Sequence, residues 1–409
     1  MDRTRLIGLL LAASLWTTSA AAQERPPSIV ELTYDGALAL AREHSPALAA
    51  ARARAREAER EVDAAAVRRF NPQLTGTAGP RVRSDGTLLD WSIGVQQWLE
   101  LGGQRGDRVA AARAGAEAGT AHGEDARRRL LRDVGLAFVA ALYWERRVEL
   151  AQEDLRIAKS IAHVATRRHE VGDAGGLEPT VSAVATARAR GDVERARAAL
   201  TQAEGRLKAL LGIEAATELV CRGDLRRLGV LDVPEPDLGD RPDLRALRAN
   251  VRRAEADVDL GRAGRVPNIA VGAGYARDDA ADVVRGTLTV ALPVFDRGQG
   301  TTAVARARAE RLRTELDAAA STAAVEIETA EATVQTLSDA ARRFEQEGLG
   351  ALERSEQLAT ASYEAGAIPL PELLAVRREL VQAKLDHAEL LLGAATARVE
   401  LAASTGALR

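Results

Sequence analysis

The stretch PQLTGTAG at residues 72–79 returns as PNIAVGAG at residues 267–274, an offset of 195 residues. The same offset, to within one residue, relates five further pairs of segments. These pairs are SPAL 45–48 with RPDL 241–244, GQR 103–105 with GQG 298–300, ARA 112–114 with ARA 307–309, HEVG 169–172 with YEAG 363–366, and LG 211–212 with TG 405–406. Matching segments at this nearly constant offset indicate a tandem duplication, and the duplicated unit is much longer than the roughly 20–50 residues of solenoid repeats.

The sequence pattern of the first half of the chain predicts a helix followed by two strands. The helix covers residues 32–67, with Thr33 as its N-cap, and it ends before Pro72 because proline cannot continue a helix. From residue 73 to residue 99 the pattern has a period of two, which is typical of strands with one apolar and one polar face. A turn at residues 84–86 divides this stretch into two strands.

The second half repeats this order of elements. Apolar residues alternate over residues 269–275 and 288–292, on either side of a polar loop near residues 277–279. The two strand pairs, about 72–100 and about 267–294, give four strands per chain.

The repeat also predicts the division of the chain. We expect a signal peptide over residues 1–22, a first repeat over 23–215, a linker over 216–239 and a second repeat over 240–409. In the signal peptide, Arg3 and Arg5 precede a short apolar run, and small residues lead to a cleavage site near Ala22. No cysteine stands at that site, so we expect an exported protein without a lipid anchor.

A very long helix is predicted after each strand pair. The helix over residues 105–170 contains no proline, and its length would be about 100 Å. In the second half, apolar residues recur every seven positions in two series, which is the pattern of a coiled-coil seam. The two series are Leu316, Ala323, Ala330, Leu337 and Phe344, and Ala320, Ile327, Val334 and Ala341.

Composition supports an exported helical protein without nucleic-acid chemistry. The 56 Lys and Arg residues nearly balance the 59 Asp and Glu residues, so we expect no nucleic-acid partner. Aromatic residues make up only 3% of the chain, which is typical of long packed helices. The single cysteine, Cys221, has no partner for an intrachain disulfide.

Four strands in two separated hairpins leave sheet edges that one chain cannot pair. A sheet that spans a membrane must close on itself, so we expect three copies to form a barrel of twelve strands. The alternative is a small soluble sheet that joins the helices of a periplasmic protein.

An ordered set of segments resembles the TolC-like outer-membrane factor family over essentially the whole mature chain. The segments are LALAREHSPAL 38–48, LPVFDRG 292–298 and YEAGAIPL 363–370. The resemblance implies a mainly α fold with a transmembrane β-barrel: a homotrimer with a twelve-stranded barrel in the outer membrane and a twelve-helix tunnel in the periplasm. It also implies a passive duct in a tripartite efflux pump, in contact with outer-membrane lipid, a periplasmic adaptor (membrane fusion protein) and an inner-membrane pump of the RND type.

Within that family, QWLELGGQR at residues 97–105 is most similar to the subgroup of heavy-metal (cobalt-zinc-cadmium type) efflux pumps. The five histidines, one methionine and one cysteine form no metal-ligand cluster, and a passive duct would need none. Multidrug export and type I secretion remain alternatives. A periplasmic adaptor or helical scaffold is the alternative from another class, although an adaptor would have one central helical hairpin rather than a full tandem repeat.

The resemblance makes the two helix-to-helix loops the periplasmic tips at which the adaptor docks. The tip residues are Val171, Gly172, Asp173, Gly366, Ala367, Ile368 and Pro369. The plainer interpretation is that the glycines only turn the chain. Asp173 is a candidate for an acidic ring at the periplasmic constriction, the alternative being a solvated turn aspartate.

Glycines also mark the passage from strand to helix in each half. Gly102, Gly103, Gly298 and Gly300 are expected at the junction between barrel and tunnel. These segments lack the Gly-Lys-Ser/Thr ending of a phosphate-binding loop. Because no catalytic constellation stands out, we expect neither an active site nor a cofactor.

Overall fold

The computed structural model describes residues 29–229, 239, 241–279 and 281–408. The expected signal peptide and residues 230–238 of the expected linker lie outside the described residues. The first half contains β1 Ile29–Leu32, α1 Tyr34–His44, α2 Pro46–Ala66, β2 Gln73–Arg83, β3 Gly86–Leu99, α3 Gln104–Glu170 and α4 Leu177–Leu211. The second contains β4 Glu218–Cys221, α5 Leu225–Leu228, α6 Pro242–Ala263, β5 Ile269–Asp278, β6 Ala281–Val290, α7 Gln299–Arg343, a π-helical segment Phe344–Leu349, α8 Gly350–Glu364 and α9 Leu370–Ser404.

The single helix expected over residues 32–67 is wrong in its extent. Leu32 ends strand β1, and Ser45 separates α1 from α2 in an extended conformation. Ser45 precedes Pro46, and the proline ring disfavours helical backbone in the residue before it. The N-cap prediction is confirmed, because Thr33 Oγ1 accepts a hydrogen bond of 3.2 Å from the amide of Gly36.

The alternating stretches form one antiparallel sheet in the order β2-β3-β5-β6. The polar loop expected near residues 277–279 begins later, because Arg277 and Asp278 still belong to β5 and the turn starts at Asp279. A parallel pair, β1 with β4, was not predicted. The described residues therefore hold six strands, four of them in the large sheet.

The long helices pack along one another as the heptad pattern predicts. Helix α3, with 67 residues, is about 100 Å long and contacts α2, α4, α6 and α9 along its course. On α7 the seam residues Ala323, Ile327 and Val334 are buried. Regular α-helix ends at Arg343, where the π-helical segment begins, so the seam is not one unbroken helix up to Phe344.

A core of buried side chains surrounds the middle of α3. Leu131, Val134 and Phe138 of α3 are inaccessible to solvent and pack with side chains from α1, α4 and α9. The β1–β4 pair and α5 add Leu219 and Leu225 to this cluster. The small sheet thus packs against the helices near the middle of α3. No helix in the described part of the chain is both long and apolar enough to cross a membrane.

Left-handed glycines repeat with the period of the duplication. Three pairs, each separated by 194 or 195 residues, have φ between +72° and +80°. They are Gly103 with Gly298, Gly172 with Gly366, and Gly212 with Gly406. Because few other residues adopt this conformation, the pairs report equivalent backbone turns in the two halves.

Candidate functional site

The two helix-to-helix turns have the same backbone construction. After α3, the amide of Asp173 donates to the carbonyl of Arg168 at 2.8 Å; after α8, the amide of Ala367 donates to the carbonyl of Ser362 at 2.8 Å. Gly172 and Gly366 supply the left-handed residue that these Schellman endings require. Both turns are therefore fixed by backbone hydrogen bonds. Each reverses the chain at the end of a long helix.

The two turns lie side by side and are joined by buried contacts. Tyr363 of α8 is 1% exposed, and its hydroxyl donates to the Glu178 carboxylate of α4 at 3.1 Å. The Arg168 guanidinium lies 5.0 Å from the centre of the Tyr363 ring. Burial raises the pKa of Tyr363, and the Glu178 carboxylate adds to that rise, so the phenol stays protonated and can donate. We call this group of contacts the tip cluster.

All but one of the predicted tip residues are exposed on these turns; Ile368 is partly buried and packs against the buried side chains near Tyr363. Val171 is 78% exposed, and Pro369 is the N-cap residue of α9. The Asp173 carboxylate pairs with Arg168 Nε at 2.8 Å and remains 64% exposed. Its charge thus has a partner within the same turn, and a role for Asp173 in an acidic ring stays a prediction.

Arg377 of α9 is a tip-proximal residue that the sequence interpretation missed. Its side chain is buried, pairs with Asp154 Oδ1 of α3 at 2.6 Å and lies 3.7 Å from Glu356 Oε1 of α8. Burial raises the pKa of Asp154, and the Arg377 charge opposes that rise. The available signal was spacing, because Arg377 falls on the same helical stripe as buried Leu370, Leu373 and Leu380.

The glycines at the strand-to-helix junctions differ in whether their positions could accept a side chain. Gly103 and Gly298 are the left-handed N-cap residues of α3 and α7. A Cβ on Gly298 would overlap the carbonyl oxygen of Gly261, and a Cβ on Gly102 would lie 2.6 Å from Cβ of Val266. Gly300 lies inside α7 with nothing near its missing Cβ. The close approach of α6 to α7 explains Gly298 but not Gly300.

The four-stranded sheet has two chemically distinct faces, which follow from its register. One face, here the apolar face, carries exposed large hydrophobic side chains from all four strands. They include Leu74, Val82, Leu89, Trp91, Ile93, Val95, Leu99, Val271, Val284, Leu288 and Val290. Such a continuous exposed apolar surface is unusual for a soluble protein.

The opposite face, here the small-residue face, is lined mainly by Gly, Ala, Ser and Thr. Its central rows include Thr77, Ser92, Gly94, Gly272 and Gly274. Gly94 and Gly274 are direct partners across β3 and β5, and a Cβ on Gly272 would lie 2.8 Å from the carbonyl oxygen of Val95. Glycine in a strand marks a close backbone approach or a bend. A side chain at Gly272 would therefore collide with the neighbouring strand β3.

Each outer strand of the sheet has one unpaired edge in the described residues, because β2 pairs only with β3 and β6 pairs only with β5. Their backbone donors and acceptors are available for pairing along the full length of each edge. In the same described part, no group of three or more His, Cys, Asp or Glu side chains is placed to hold a metal ion.

The sequence profile of the outer membrane efflux protein family matches residues 37–213 and 234–407. Because these segments make up most of the chain, the chain belongs to the outer membrane efflux protein family. It is accordingly a protein of the cell outer membrane whose helices extend into the periplasm.

Relatives with assigned roles include two heavy-metal resistance proteins. The cobalt-zinc-cadmium resistance protein CzcC of Cupriavidus metallidurans is 29% identical over 71% of this chain and 70% of its own length. The nickel-cobalt-cadmium resistance protein NccC of Alcaligenes xylosoxydans is 29% identical over 55% of this chain and 54% of its own length. The pyoverdine export outer membrane protein OpmQ of Pseudomonas putida is 26% identical over 82% of this chain and 73% of its own length.

Among solved structures, the channel protein CusC superposes with a TM-score of 0.78 at 19% identity, over 94% of this chain and 95% of CusC. VceC, an outer membrane protein of Vibrio cholerae, superposes with a TM-score of 0.75 at 19% identity, over 91% of this chain and 96% of VceC. At such low identity the likeness establishes the fold. It is the fold of the TolC-like outer-membrane channels, in which long helices continue from a sheet of strands.

Proposed function

We propose that three copies of this chain form a passive outer-membrane duct, the exit component of a tripartite efflux pump. The observation that carries the proposal is the two-faced sheet with two unpaired edges. In hydrocarbon an unpaired strand edge costs several kcal/mol for each unsatisfied group, so a spanning sheet must close. Strand β6 of one copy would pair with β2 of the next, and three sheets would give a barrel of twelve strands.

The dimensions of the apolar face support insertion in a membrane. On β3 the face runs from Leu89 to Leu99, which is about 34 Å along the strand and about 26 Å along a barrel axis after a tilt of about 40°. Outer-membrane barrels have an apolar band about 25 Å tall. The charged residues of this face, Arg277 and Asp282, lie at the hairpin end, where a water boundary would fall.

The helices would continue the barrel as a tunnel. In each chain two long stretches of helix would run the length of the tunnel: α3, and α7 followed by the π-helical segment and α8. Two pairs of shorter helices, α2 with α4 and α6 with α9, would each form one further stretch. Three chains would supply the twelve helices of the tunnel wall. The tip cluster would then lie at its periplasmic end, with Val171, Gly172, Asp173 and residues 366–369 facing an adaptor. The glycine junctions would stand where the barrel meets the tunnel.

We infer that the cargo is heavy-metal cations, delivered by an RND-type inner-membrane pump through a periplasmic adaptor. The two heavy-metal resistance relatives support this cargo, as does the QWLELGGQR segment. A passive duct of this kind contributes to export only through the shape and charge of its walls. It therefore requires no catalytic group and no resident metal or cofactor.

Membrane location and assembly test the duct first. The expressed chain should sediment with the outer membrane, require detergent and have the light-scattering mass of a trimer. A monomer that stays soluble without detergent would contradict the proposed barrel and favour a periplasmic scaffold.

Deletion of the gene that encodes this chain, in its own organism, tests which cargo the duct carries. Increased sensitivity to cobalt, zinc or cadmium, restored by re-expression, is the expected outcome. The pyoverdine export relative supports a second candidate, the export of small organic molecules. A deletion strain that keeps its metal tolerance but accumulates an organic compound would favour that second candidate.

A further inference from the structure

Charged side chains are confined to one part of the small-residue face, near the hairpin end of the sheet. In the strands of the described chain, that face carries Arg81, Arg83, Asp90, Asp278 and Arg285 as its only charged residues. Asp279 joins them from the β5–β6 turn. The helices leave the sheet at its opposite end, so in the proposed duct these groups lie at the outer mouth.

The six groups form one connected network, here the mouth network. Arg81 is its centre: the Nε atom donates to Asp90 Oδ2 at 2.6 Å, and an Nη atom pairs with Asp278. Arg81 thus reaches from β2 over β3 to β5. Asp278 also accepts from Arg285 on β6 at 3.5 Å. The network therefore spans all four strands of the sheet.

A second branch completes the charge balance. Arg83 pairs with Asp279 at 2.6 Å, and the Asp279 amide donates to Asp90 Oδ1 at 3.0 Å. Three guanidinium groups thus meet three carboxylates, and the formal charges of the network cancel. None of the six side chains is fully buried, so cations in a surrounding lumen could reach the carboxylates if the arginines were removed.

We infer that the mouth network neutralises the exit of the duct, with Arg81 masking Asp90 and Asp278 so that departing cations are not retained. This inference rests on the proposed function, because it requires the small-residue face to line the lumen. Conduction needs binding weak enough for the ion to leave. Bare carboxylates from three copies at one level of a pore would bind divalent cations, since carboxylate oxygens are ligands for such ions.

A matched pair of charges on the opposite face provides the control. Arg277 donates to Asp282 at 3.0 Å, on the apolar face and at a similar height in the sheet. Removal of Arg277 changes the formal charge of each copy as much as removal of Arg81 does. In a closed barrel, however, Arg277 faces away from the lumen.

The test is the ion selectivity of single channels of the full-length trimer in planar bilayers with a KCl gradient. Arg81→Gln should shift the reversal potential toward cation preference, and Asp278→Asn toward anion preference, each by a permeability ratio on the order of two- to ten-fold. Arg277→Gln should leave the reversal potential at the wild-type value. Zn²⁺ added alone on the hairpin side should block Arg81→Gln channels at concentrations that leave wild-type channels open.

Arg285→Gln serves if Arg81→Gln does not assemble, because Arg285 lies on an edge strand and holds Asp278 only at 3.5 Å. It should produce a smaller shift toward cations. Conducting trimers whose selectivity and Zn²⁺ response are unchanged in these variants would overturn the inference while leaving the duct intact. Failure of the wild-type chain to form trimers or channels would instead overturn the proposed function.

Discussion

Arg128 and Arg129 pair with the same carboxylate, that of Asp125, at very different levels of burial. The Arg128 side chain is 8% exposed and the Arg129 side chain 62% exposed. Arg128 also donates to the carbonyl of Ala403, at the end of α9, and lies 3.5 Å from Asp243 of α6. It therefore ties α3 to the place where α6 and α9 meet, whereas Arg129 lies mostly in water.

We expect Arg128→Gln to lower the free energy of unfolding by about 3 kcal/mol, because it leaves the buried Asp125 carboxylate and the half-buried Asp243 carboxylate with less compensation. Arg129→Gln should cost less than about 1 kcal/mol, since exposed ion pairs contribute little. Urea unfolding of the two variants in detergent, followed by loss of helical circular dichroism, measures the difference. Equal costs would mean that burial at Arg128 does not decide the strength of its pairing.

His387 is a buried imidazole next to the π-helical segment. It is 6% exposed, stacks on Phe344 at 6.2 Å between ring centres, and its Nε2 has no hydrogen-bond partner. Glu345 Oε2 lies 3.8 Å away, while the other oxygen of Glu345 is held by Arg226 at 2.7 Å. Burial lowers the pKa of His387; Glu345 opposes this, and Arg226 and Arg146 add to it.

The lowered pKa makes a prediction about stability and pH. As the pH falls through the ordinary histidine pKa of 6.5, His387 becomes protonated in the unfolded chain while it stays neutral in the folded chain. Proton binding then stabilises the unfolded chain, so the free energy of unfolding should fall as the pH falls below about 6.5. In His387→Gln this contribution is absent, and the thermal midpoint should drop less than in wild type between about pH 7.5 and about pH 5. His163→Gln, at an exposed position on α3, should keep the wild-type dependence. If both variants keep it, His387 is not the group responsible.

Helices and strands were predictable where their pattern is long and local. The period of two over residues 73–99, and the proline-free run of α3, lead directly to the observed elements. The β1–β4 pair was missed because each strand has four residues and they lie far apart in the chain. The π-helical segment begins at Phe344, where the predicted heptad series ends, so that series did not reveal the segment.

Candidate site residues were predictable only where backbone conformation requires a residue type. Gly172 and Gly366 were found because a left-handed helix ending favours glycine. Contacts between distant elements, such as Tyr363 with Glu178 or Arg81 with Asp278, depend on packing and register. Neither pair has any spacing in the sequence that would reveal it.

The junction of β6 and α7 contains one glycine that the backbone requires, Gly298, and one that it does not, Gly300. Gly298→Ala places a Cβ on a residue with φ of +72° and against the Gly261 carbonyl, so we expect a loss of about 2 kcal/mol or more in stability. Gly300→Ala replaces a helical glycine with open space around it, and should stabilise by up to about 1 kcal/mol. Thermal unfolding of the two purified variants compares them. A tolerated Gly298→Ala would show that the close approach of α6 and α7 can relax.

In the proposed duct, the two faces of the sheet should respond oppositely to the same new charge. Leu288 and Thr287 are neighbours on β6, but Leu288 lies on the apolar face and Thr287 on the small-residue face. An arginine on the lipid side of a barrel costs about 2–4 kcal/mol near the midplane of the bilayer. On the lumen side the guanidinium would stay in water and cost far less.

We therefore expect Leu288→Arg to reduce the amount of heat-sensitive trimer recovered from the outer membrane, and Thr287→Arg to assemble at close to the wild-type level. The pair controls for the new charge, for its size and for its position along the edge strand, since the two residues are adjacent. Unheated gels and membrane fractionation measure both variants side by side. If Thr287→Arg fails and Leu288→Arg assembles, the faces are reversed and the mouth network points toward lipid. If both assemble equally, the sheet does not span the membrane and the helices alone must account for assembly.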